Sequence, residues 1–315
     1  MARTDRPLRI ATRKSALALW QANYVKAELE KAHPGLAVEL VPIVTTGDKI
    51  LDVPLAKVGG KGLFTKEIEQ ALVEGRADLA VHSMKDVPTQ RAPGLVLAGT
   101  GVREDVRDAF VSRRVGSVDT LPPGAKVGTS SLRRQAQLLH LRPDLQIVSI
   151  RGNVETRMRK IEELGLEGVI LAAAGLRRLG FAERITQYIP ASVSLPAIAQ
   201  GSLGLEARLD DALTLERIAI FHHEPTQVAV TAERAFLARL EGGCQVPIAG
   251  LATLEGGRVT MEGLVGSVDG KRIIRDRGEG PKEQAEAVGR ELAERILDAG
   301  GRAILAEVYQ TGGPR

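Results

Sequence analysis

The fold class follows from residues 8–45, LRIATRKSALALWQANYVKAELEKAHPGLAVELVPIVT. The apolar run Leu8–Thr12 predicts a strand, the segment from about Ser15 to His33 predicts an amphipathic helix, and Val38–Thr45 predicts a second strand. A strand, a helix and a strand in this order are typical of a βαβ unit, in which both strands run parallel. The sequence therefore begins as an α/β protein.

The same alternation continues along the first two-thirds of the chain. A helix over Phe64–Glu74 and a strand over Ala77–His82 complete the first series. A second series is predicted at Lys126–Gly128, Ser131–Leu141, Gln146–Ile150, Val154–Leu164, Val169–Ala172 and Ala173–Leu179. Two such series in tandem indicate two α/β domains with mixed, parallel-rich sheets, in which ligands bind beyond the carboxyl ends of the strands.

The order of elements changes towards the C-terminus. The segment Leu209–Gln227 is richer in Asp, His and Pro, and we predict a linker there. The elements that follow are predicted as a helix over Val228–Leu240, strands over Ile248–Leu254, Arg258–Val265 and Arg272–Arg277, and a helix over Glu283–Ala299. They indicate a small α+β domain with an antiparallel three-stranded sheet.

Composition argues against several classes of protein. The 315 residues include nine aromatic side chains, or 3%, which is too few for base-stacking nucleic-acid modules. No apolar run approaches the ~20 residues that span a bilayer, and the N-terminus lacks the apolar region of a secretory signal. The 43 cations face 39 anions without a block of like charge. We therefore expect a cytoplasmic protein without a nucleic-acid or membrane partner.

Three predicted strand-to-helix junctions share one chemical design: IATRKS (10–15), VGTSSLRR (127–134) and SIRGNVETR (149–157). Each combines helix-capping side chains with arginines, which outnumber lysines in the chain by 31 to 12. The capping side chains are Ser15, Thr129, Ser130, Ser131 and Asn153, and the arginines are Arg13, Arg133, Arg134, Arg151 and Arg157. Helix N-termini and guanidinium groups both bind anions, so three junctions favour a multi-carboxylate site over ordinary capping. None resembles a nucleotide P-loop.

Asp86 and Cys244 are the other candidate reactive residues. Asp86 lies in AVHSMKDVPT (80–89), after a predicted strand, where it could protonate a leaving group or stabilise positive charge in a substrate. The residues alone leave open a turn aspartate paired with Lys85. Cys244 lies in LEGGCQVPI (240–248), where the glycines and proline favour an exposed nucleophile or attachment point over a buried thiol. The five histidines show no metal-binding spacing, so no metal site is predicted.

Eight segments in order resemble one family over essentially the whole chain. They are TTGDKILD, KVGGKGLFTKE, AVHSMKDVP, VGTSSLRRQ, RGNVETR, AAAGLRRLG, LPAIAQGSLGLE and ERAFLARLEGGCQVPI, between residues 45 and 248. Together they are similar to the bacterial porphobilinogen deaminases, also called hydroxymethylbilane synthases. The resemblance implies an enzyme of porphyrin and haem synthesis.

The resemblance also implies a fold and a reaction. Two domains similar to periplasmic binding proteins are expected, domain 1 at 1–102 and 198–219 and domain 2 at 103–197, with domain 3 at 220–315. The family joins four porphobilinogen molecules head to tail, with loss of ammonia, on a covalent dipyrromethane cofactor held by a thioether to Cys244. Hydrolysis then releases hydroxymethylbilane. The expected enzyme is a monomer that hands its product to uroporphyrinogen-III synthase.

Residue roles are carried over onto matching positions. Carboxylate binding is implied for Lys85, Thr129, Ser131, Arg133 and Arg134, with Arg13, Ser15, Arg151 and Arg157 on the incoming pyrrole and its neighbour, and Arg178 and Gln200 as further binding residues. Asp86 is expected to bond the pyrrole N–H groups, assist departure of the amine and stabilise an azafulvenium-like cation. The segment 46–62, with Lys57 and Lys61, is expected to be a lid.

Three other classes fit parts of the sequence. A two-lobed solute-binding or effector-binding module would use the anion sites but would not need Asp86 or Cys244. A cysteine hydrolase would need a histidine partner for Cys244, and nothing local identifies one. A DNA-binding protein is supported only by the sequence pI of about 9.3.

Overall fold

The computed structural model describes residues 6–49, 62–242 and 246–312 of the chain. The strands are β1 (Leu8–Arg13), β2 (Val38–Ile43), β3 (Leu79–Ser83), β4 (Leu95–Gly99), β5 (Asp108–Ser112), β6 (Lys126–Gly128), β7 (Gln146–Val148), β8 (Gly168–Ala172), β9 (Gln187–Ile189), β10 (Leu203–Arg208), β11 (Ile248–Glu255), β12 (Arg258–Gly266) and β13 (Ile273–Pro281). The α-helices are α1 (Ala16–Ala32), α2 (Thr46–Lys49), α3 (Lys66–Val73), α4 (Leu132–Leu141), α5 (Val154–Glu163), α6 (Ala173–Arg178), α7 (Ala212–Ile218), α8 (Glu224–Arg239), α9 (Ala285–Ile296) and α10 (Arg302–Gly312).

The described chain divides into two units, one made of 6–49, 62–103 and 202–227, the other of 104–201, 228–242 and 246–312. The first unit contains a sheet in the order β2-β1-β3-β10-β4. In this sheet β1 pairs in parallel with β2 and β3, whereas β10 runs antiparallel between β3 and β4. Helix α1 packs its buried residues Ala22, Val25 and Leu29 against β1, because their spacing places them on one face.

The second unit contains a sheet of equivalent order, β7-β6-β8-β5-β9. Here β6 pairs in parallel with β7 and β8, and β5 runs antiparallel between β8 and β9. Apolar clusters form on both faces of the sheet, one with Val169 and Leu176 and the other with Phe110 and Ile170. Burial on both faces explains the continuous apolar character of the central strand β8.

The same unit contains the antiparallel sheet β11-β12-β13. Ala249 and Leu264 of this sheet pack with Leu195, which joins the C-terminal sheet to the rest of the unit. Gly250 N–H also donates to the Pro196 carbonyl. The predicted fold class is confirmed, with two mixed sheets and a three-stranded antiparallel sheet. The division into three domains stays a prediction.

Two sequence-based expectations were wrong in detail. The predicted linker 209–227 contains helix α7, whose first turn is capped by the Asp211 side chain, and the start of α8. Pro225 is compatible with the first turn of α8, because the N–H groups there need no helical acceptor. The final helix does not end near residue 299. A π-helical segment, Leu297–Gly301, with Gly300 at φ 110°, bends the chain into α10.

Parts of the predicted lid and of the cysteine loop lie outside the described residues. These parts are 50–61, which include Lys57 and Lys61, and 243–245, which include Cys244. Within the described part of the predicted lid, Thr46–Lys49 forms the helical turn α2. Every helix of the described residues is too short or too polar to cross a membrane.

Helices α8 and α9 pack closely at Gly289, and we predict that Gly289→Ala destabilises this part of the second unit. A Cβ atom there would overlap the carbonyl of Ala232, which belongs to the α8 backbone and cannot rotate away. We expect a loss of about 3 kcal/mol in the free energy of unfolding, measured by denaturant titration. Gly116→Ala is the control, because its Cβ would meet no atom within 4 Å, and its stability should stay within about 1 kcal/mol of wild type. Equal stability of the two variants would contradict this packing.

Candidate active site

A cleft opens in the first unit where the carboxyl ends of β1 and β3 meet the start of α1. Three predicted site residues, Arg13, Ser15 and Asp86, line it together. The other lining residues are Leu17, Ala18, Gln21, Phe64, Thr65, Ile68, Val81, His82 and Ser83. The cleft therefore combines helix N-H groups, one carboxylate and apolar walls, as a polar ring-shaped ligand requires.

Ser15 and Arg13 form the β1–α1 side of the cleft. The Ser15 hydroxyl caps α1 by accepting the Ala18 N–H at 3.3 Å. The Arg13 guanidinium lies over the Phe64 ring, 4.1 Å from its centroid, and its Nε donates to Asp48 Oδ1 at 3.1 Å. Although burial raises the pKa of Asp48, hydrogen bonds and charge from Arg13 outweigh it and hold that pKa below its usual range.

Asp86 lies at the end of the 3₁₀ turn Met84–Asp86, which follows directly on β3. Met84 is buried, and its N–H donates to the Ser202 carbonyl, which fixes this turn to the segment before β10. Asp86 itself is half-buried. No side chain of the described residues pairs with its carboxylate, so Asp86 is not paired with Lys85 in the way the sequence left open. Its carboxylate is thus left to the cleft.

A second group of predicted residues lies in the second unit, at the start of α4. Arg133 and Arg134 are both 5% exposed and enclose the fully buried carboxylate of Asp108. Arg133 Nη1 donates to Asp108 Oδ2 at 2.7 Å and to the Leu195 carbonyl, while Arg134 donates to Oδ1 from Nε at 3.0 Å and Nη2 at 2.8 Å. Gln200 Nε2 donates to the same Oδ1 at 3.0 Å. Asp108 therefore organises three predicted binding residues.

The electrostatics of this group leave one net positive charge. Burial raises the pKa of Asp108, but the charges of Arg133 and Arg134 outweigh it and hold the pKa far below its usual range. Two guanidinium groups and one carboxylate give a buried charge of +1 at a helix N-terminus. Arg133 Nε donates to no acceptor among the described residues, so the group keeps a donor for a further anion.

Several further predicted residues lie in the same unit. Ser131 caps α4 by accepting the Arg134 N–H at 3.4 Å, and Thr129 Oγ1 accepts the Ser131 N–H at 3.2 Å. At the third junction Asn153 caps α5, accepting the Thr156 N–H at 2.8 Å. Two further predicted arginines donate to main-chain carbonyls. Arg157 Nε donates to Gly152 at 2.8 Å, and Arg178 Nη2 donates to Gly201 at 2.7 Å. The capping predicted for Ser15, Ser131 and Asn153 is confirmed.

Sequence reasoning missed two acids, Asp48 and Asp108. Asp108 opens the apolar strand β5 in the segment RDAFVS, and a charged residue at a buried strand end was the available signal. Asp48 lies in the segment TTGDK, 35 residues from Arg13, and no local pattern links them. Among the described residues, no three His, Cys, Asp or Glu side chains are grouped to hold a metal ion.

Two family models match most of the chain. Residues 8–216 match the family model described as porphobilinogen deaminase, dipyromethane cofactor binding domain. Residues 227–298 match the model described as porphobilinogen deaminase, C-terminal domain. Among solved structures, an ABC-transporter periplasmic substrate-binding protein from Coxiella burnetii is similar, with a TM-score of 0.44 and 13% identity over 72% of this chain and 96% of that chain.

Relatives named porphobilinogen deaminase are similar over nearly the full chain. The protein from Pelobacter propionicus is 60% identical over 305 residues, covering 97% of this chain and 98% of the relative. That from Syntrophotalea carbinolica is 61% identical over 307 residues, covering 98% of each. That from Geobacter sulfurreducens is 60% identical over 303 residues, covering 96% of this chain and 95% of the relative.

The family models and the relatives together define a transferase on an α/β scaffold. The chain belongs to the porphobilinogen deaminase family. The enzyme class, tetrapyrrole synthesis and the dipyrromethane cofactor that the sequence predicted are thereby confirmed. The roles of individual residues are a separate question.

Removing the Asp108 charge is predicted to destabilise the second unit. In Asp108→Asn, Arg133 and Arg134 stay buried without their carboxylate, and we expect a loss of about 3 kcal/mol or more in the free energy of unfolding. Asp144→Asn, which removes an exposed partner of Arg142, should leave the unfolding midpoint almost unchanged.

Acid titration adds a second readout for Asp108. Because its folded-state pKa is depressed, its stabilisation is complete above the unfolded pKa of about 3.9 and is lost as the pH falls further. Stability of Asp108→Asn should therefore fall less steeply than that of wild type below about pH 4. Parallel acid profiles would contradict the assignment.

Proposed function

We propose that Asp86 is the residue at which this chain joins four porphobilinogen molecules head to tail, with loss of ammonia, before hydrolysis releases hydroxymethylbilane. The observation that carries this proposal is the Asp86 carboxylate, which lines the cleft beside Arg13 and Ser15 and has no side-chain partner among the described residues. A carboxylate held in this way is available to a ligand instead of to the fold.

Asp86 has two tasks in this proposal. Its carboxylate accepts hydrogen bonds from pyrrole N–H groups, which fixes the ring, and its negative charge stabilises the cation that forms when the aminomethyl C–N bond breaks. The apolar walls at Leu17, Phe64 and Ile68 keep water from this cation and strengthen its attraction to Asp86. Asp86 is the one carboxylate among the described residues that line the cleft, which suits a reaction that develops positive charge.

Arg13 and Ser15 hold the acetate or propionate groups of the incoming pyrrole. Arg13 Nη1 donates to no acceptor among the described residues, although Nε and Nη2 are paired with Asp48. Asp48 thus fixes the guanidinium over the Phe64 ring and leaves one edge for a substrate carboxylate. The capped N-terminus of α1 adds favourable potential for the same anion.

The carboxylates of the dipyrromethane cofactor and growing chain fit the residues of the second unit. Arg133 and Arg134 together with Asp108 carry a net positive charge beside the N-terminal N–H groups of α4. Arg133 Nε, which has no acceptor among the described residues, can donate to a ligand carboxylate. Thr129, Ser131 and Gln200 surround or orient this group, and we assign Arg151, Arg157 and Arg178 to further carboxylates of the chain. When bound through Cys244, the cofactor supplies the primer on which the pyrroles are added.

Lys57, Lys61 and Lys85 are proposed as additional binding residues, with 46–62 as the lid of the site. The proposal further includes a cytoplasmic monomer that passes its product to uroporphyrinogen-III synthase.

Asp86→Asn is predicted to keep the fold and the cofactor but to lose turnover. The amide keeps the shape of the carboxylate without its charge, so we expect kcat to fall about 100-fold or more. The measurement is the rate of ammonia release with porphobilinogen, beside a thermal unfolding curve and an intact mass. Asp210→Asn, an exposed aspartate of the same unit, should retain wild-type turnover. Near-normal turnover of Asp86→Asn would contradict the catalytic role proposed for Asp86.

Intact mass tests the attachment residue. Wild-type protein should be heavier than its sequence by two deaminated pyrrole units, and Cys244→Ser should have its bare sequence mass, because the variant lacks the thiol that forms the thioether. A wild type at its bare mass is incubated with porphobilinogen and weighed again, which separates an apo preparation from an incorrect assignment. The same added mass on Cys244→Ser would exclude Cys244 as the attachment point.

A further inference from the structure

A buried acid–base pair lies in the wall of the Asp86 cleft. His82 on β3 and Glu206 on β10 face each other diagonally across the antiparallel ladder, in which His82 is opposite Gly204. His82 Nε2 lies 3.1 Å from Glu206 Oε2, and their side chains are 5% and 0% exposed. The pair therefore lies in the sheet that positions Asp86, four residues along the chain from His82.

Burial of Glu206 in this position lowers the free energy of unfolding. Its second oxygen, Oε1, is enclosed and accepts no hydrogen bond from the described residues. Burial and the Glu206 charge together raise the pKa of Glu69, on the adjacent helix α3. A buried carboxylate that is half satisfied and lies near a second acid lowers stability, so packing alone does not account for it.

His82 connects this carboxylate to the cleft. Its ring lines the cleft together with Arg13 and Asp86, while its Nε2 is turned to Glu206. The two ring nitrogens lie on different sides of an imidazole, so a hydrogen bond that places the proton on Nε2 leaves Nδ1 as a bare acceptor away from Glu206. Among the described residues, the charged groups near this part of the cleft are Glu206 on β10, Glu69 on α3, Arg13 on β1 and Asp86 on the turn after β3.

The geometry points to a second acid–base residue in this cleft: His82 Nδ1 takes the proton that the acceptor pyrrole loses at each addition, and Glu206 is the positioning residue that holds the ring for this step. The inference rests on the proposed role of the cleft around Asp86. It gives the reaction two separate groups, a carboxylate for the developing cation and an imidazole for the proton.

The step balances without a further reactant. The C–N bond of the incoming aminomethyl group, whose nitrogen is protonated as an ammonium, breaks, and ammonia leaves with the bonding electrons. A C–C bond forms between its methylene carbon and the α-carbon of the acceptor pyrrole, which in later additions derives from substrate. The α-carbon C–H bond then breaks, its electrons restore the aromatic ring, and its proton passes to His82 Nδ1. The imidazolium, stabilised by Glu206, returns the proton to ammonia, which departs as ammonium.

The first test uses His82→Gln and Glu206→Gln with porphobilinogen deuterated at its unsubstituted α-carbon. We expect ammonia release to slow about 100-fold in His82→Gln and about 10-fold in Glu206→Gln, since a general base and its orienting group contribute on this scale. A primary deuterium isotope effect that is absent from wild type should appear in both variants from the second addition onward, because proton removal becomes rate-limiting. Wild-type rates in both variants, or slow rates without an isotope effect, would overturn the proposal.

Two controls separate this proposal from the role of Asp86. Glu69→Gln removes the neighbouring carboxylate and should keep wild-type turnover with no isotope effect. Asp86→Asn should be slow without an isotope effect, because C–N cleavage then limits the rate. Full turnover of Asp86→Asn together with an isotope effect in His82→Gln would overturn the Asp86 assignment alone. Slow turnover of Asp86→Asn together with wild-type turnover of His82→Gln would overturn only the His82 assignment.

A second measurement needs no activity and no substitution at the pair. In wild-type protein labelled with ¹⁵N-histidine, the His82 signals should show a proton on Nε2 and a bare Nδ1 at neutral pH. They are assigned by elimination with variants of the other four histidines, His33, His140, His222 and His223. A proton on Nδ1 would overturn the proposal even if the His82 and Glu206 variants failed to fold.

Discussion

The buried carboxylate of Asp108 is the interaction on which the second unit depends. It accepts hydrogen bonds from Arg133, Arg134 and Gln200, so strand β5, helix α4 and the segment before β10 are held by one charge. Gln137 reinforces the same connection, because its side chain both donates to and accepts from the Leu195 main chain. A buried cluster of two arginines and one acid is costly to desolvate, and packing alone would be served as well by apolar residues. Its net charge of +1 gives the cluster a use that apolar residues could not have.

Each unit pairs predicted binding arginines with an acid. In the first unit Asp48 fixes Arg13, and in the second Asp108 fixes Arg133 and Arg134. An acid that orients a guanidinium group lowers its positive potential but fixes its remaining N–H groups in one direction. Binding of a carboxylate then requires little loss of side-chain entropy, because the arginine is already ordered.

Local sequence patterns predicted the parallel core of both sheets and the helix caps, because strand and helix periodicity and capping are properties of neighbouring residues. Ser15, Ser131 and Asn153 cap helices as their positions indicated. The strands β4, β5, β9 and β10 were not predicted, and among them β10 and β5 pair with strands far along the chain. The partners of Arg13 and Arg133 were missed for the same reason, since sequence spacing carries no information on contacts 35 or 25 residues apart. The family resemblance supplied residue roles that no local pattern could give.

Two of the four strands that local patterns missed, β10 and β5, distinguish these sheets from a plain parallel scaffold. In each sheet the fourth strand in spatial order runs antiparallel to its neighbours, β10 in the first and β5 in the second. Each carries a fully buried acid, Glu206 or Asp108, that bonds a basic side chain, His82 or the arginine pair. An antiparallel strand beside parallel ones brings its residues to the sheet from a distant part of the chain, so the acid reaches a site that local sequence could not supply. The mixed sheet thus places one buried carboxylate beside His82 in the first unit and one beside the arginine pair in the second. Because a buried charge is little screened by water, such a carboxylate strongly orients the basic group that it bonds.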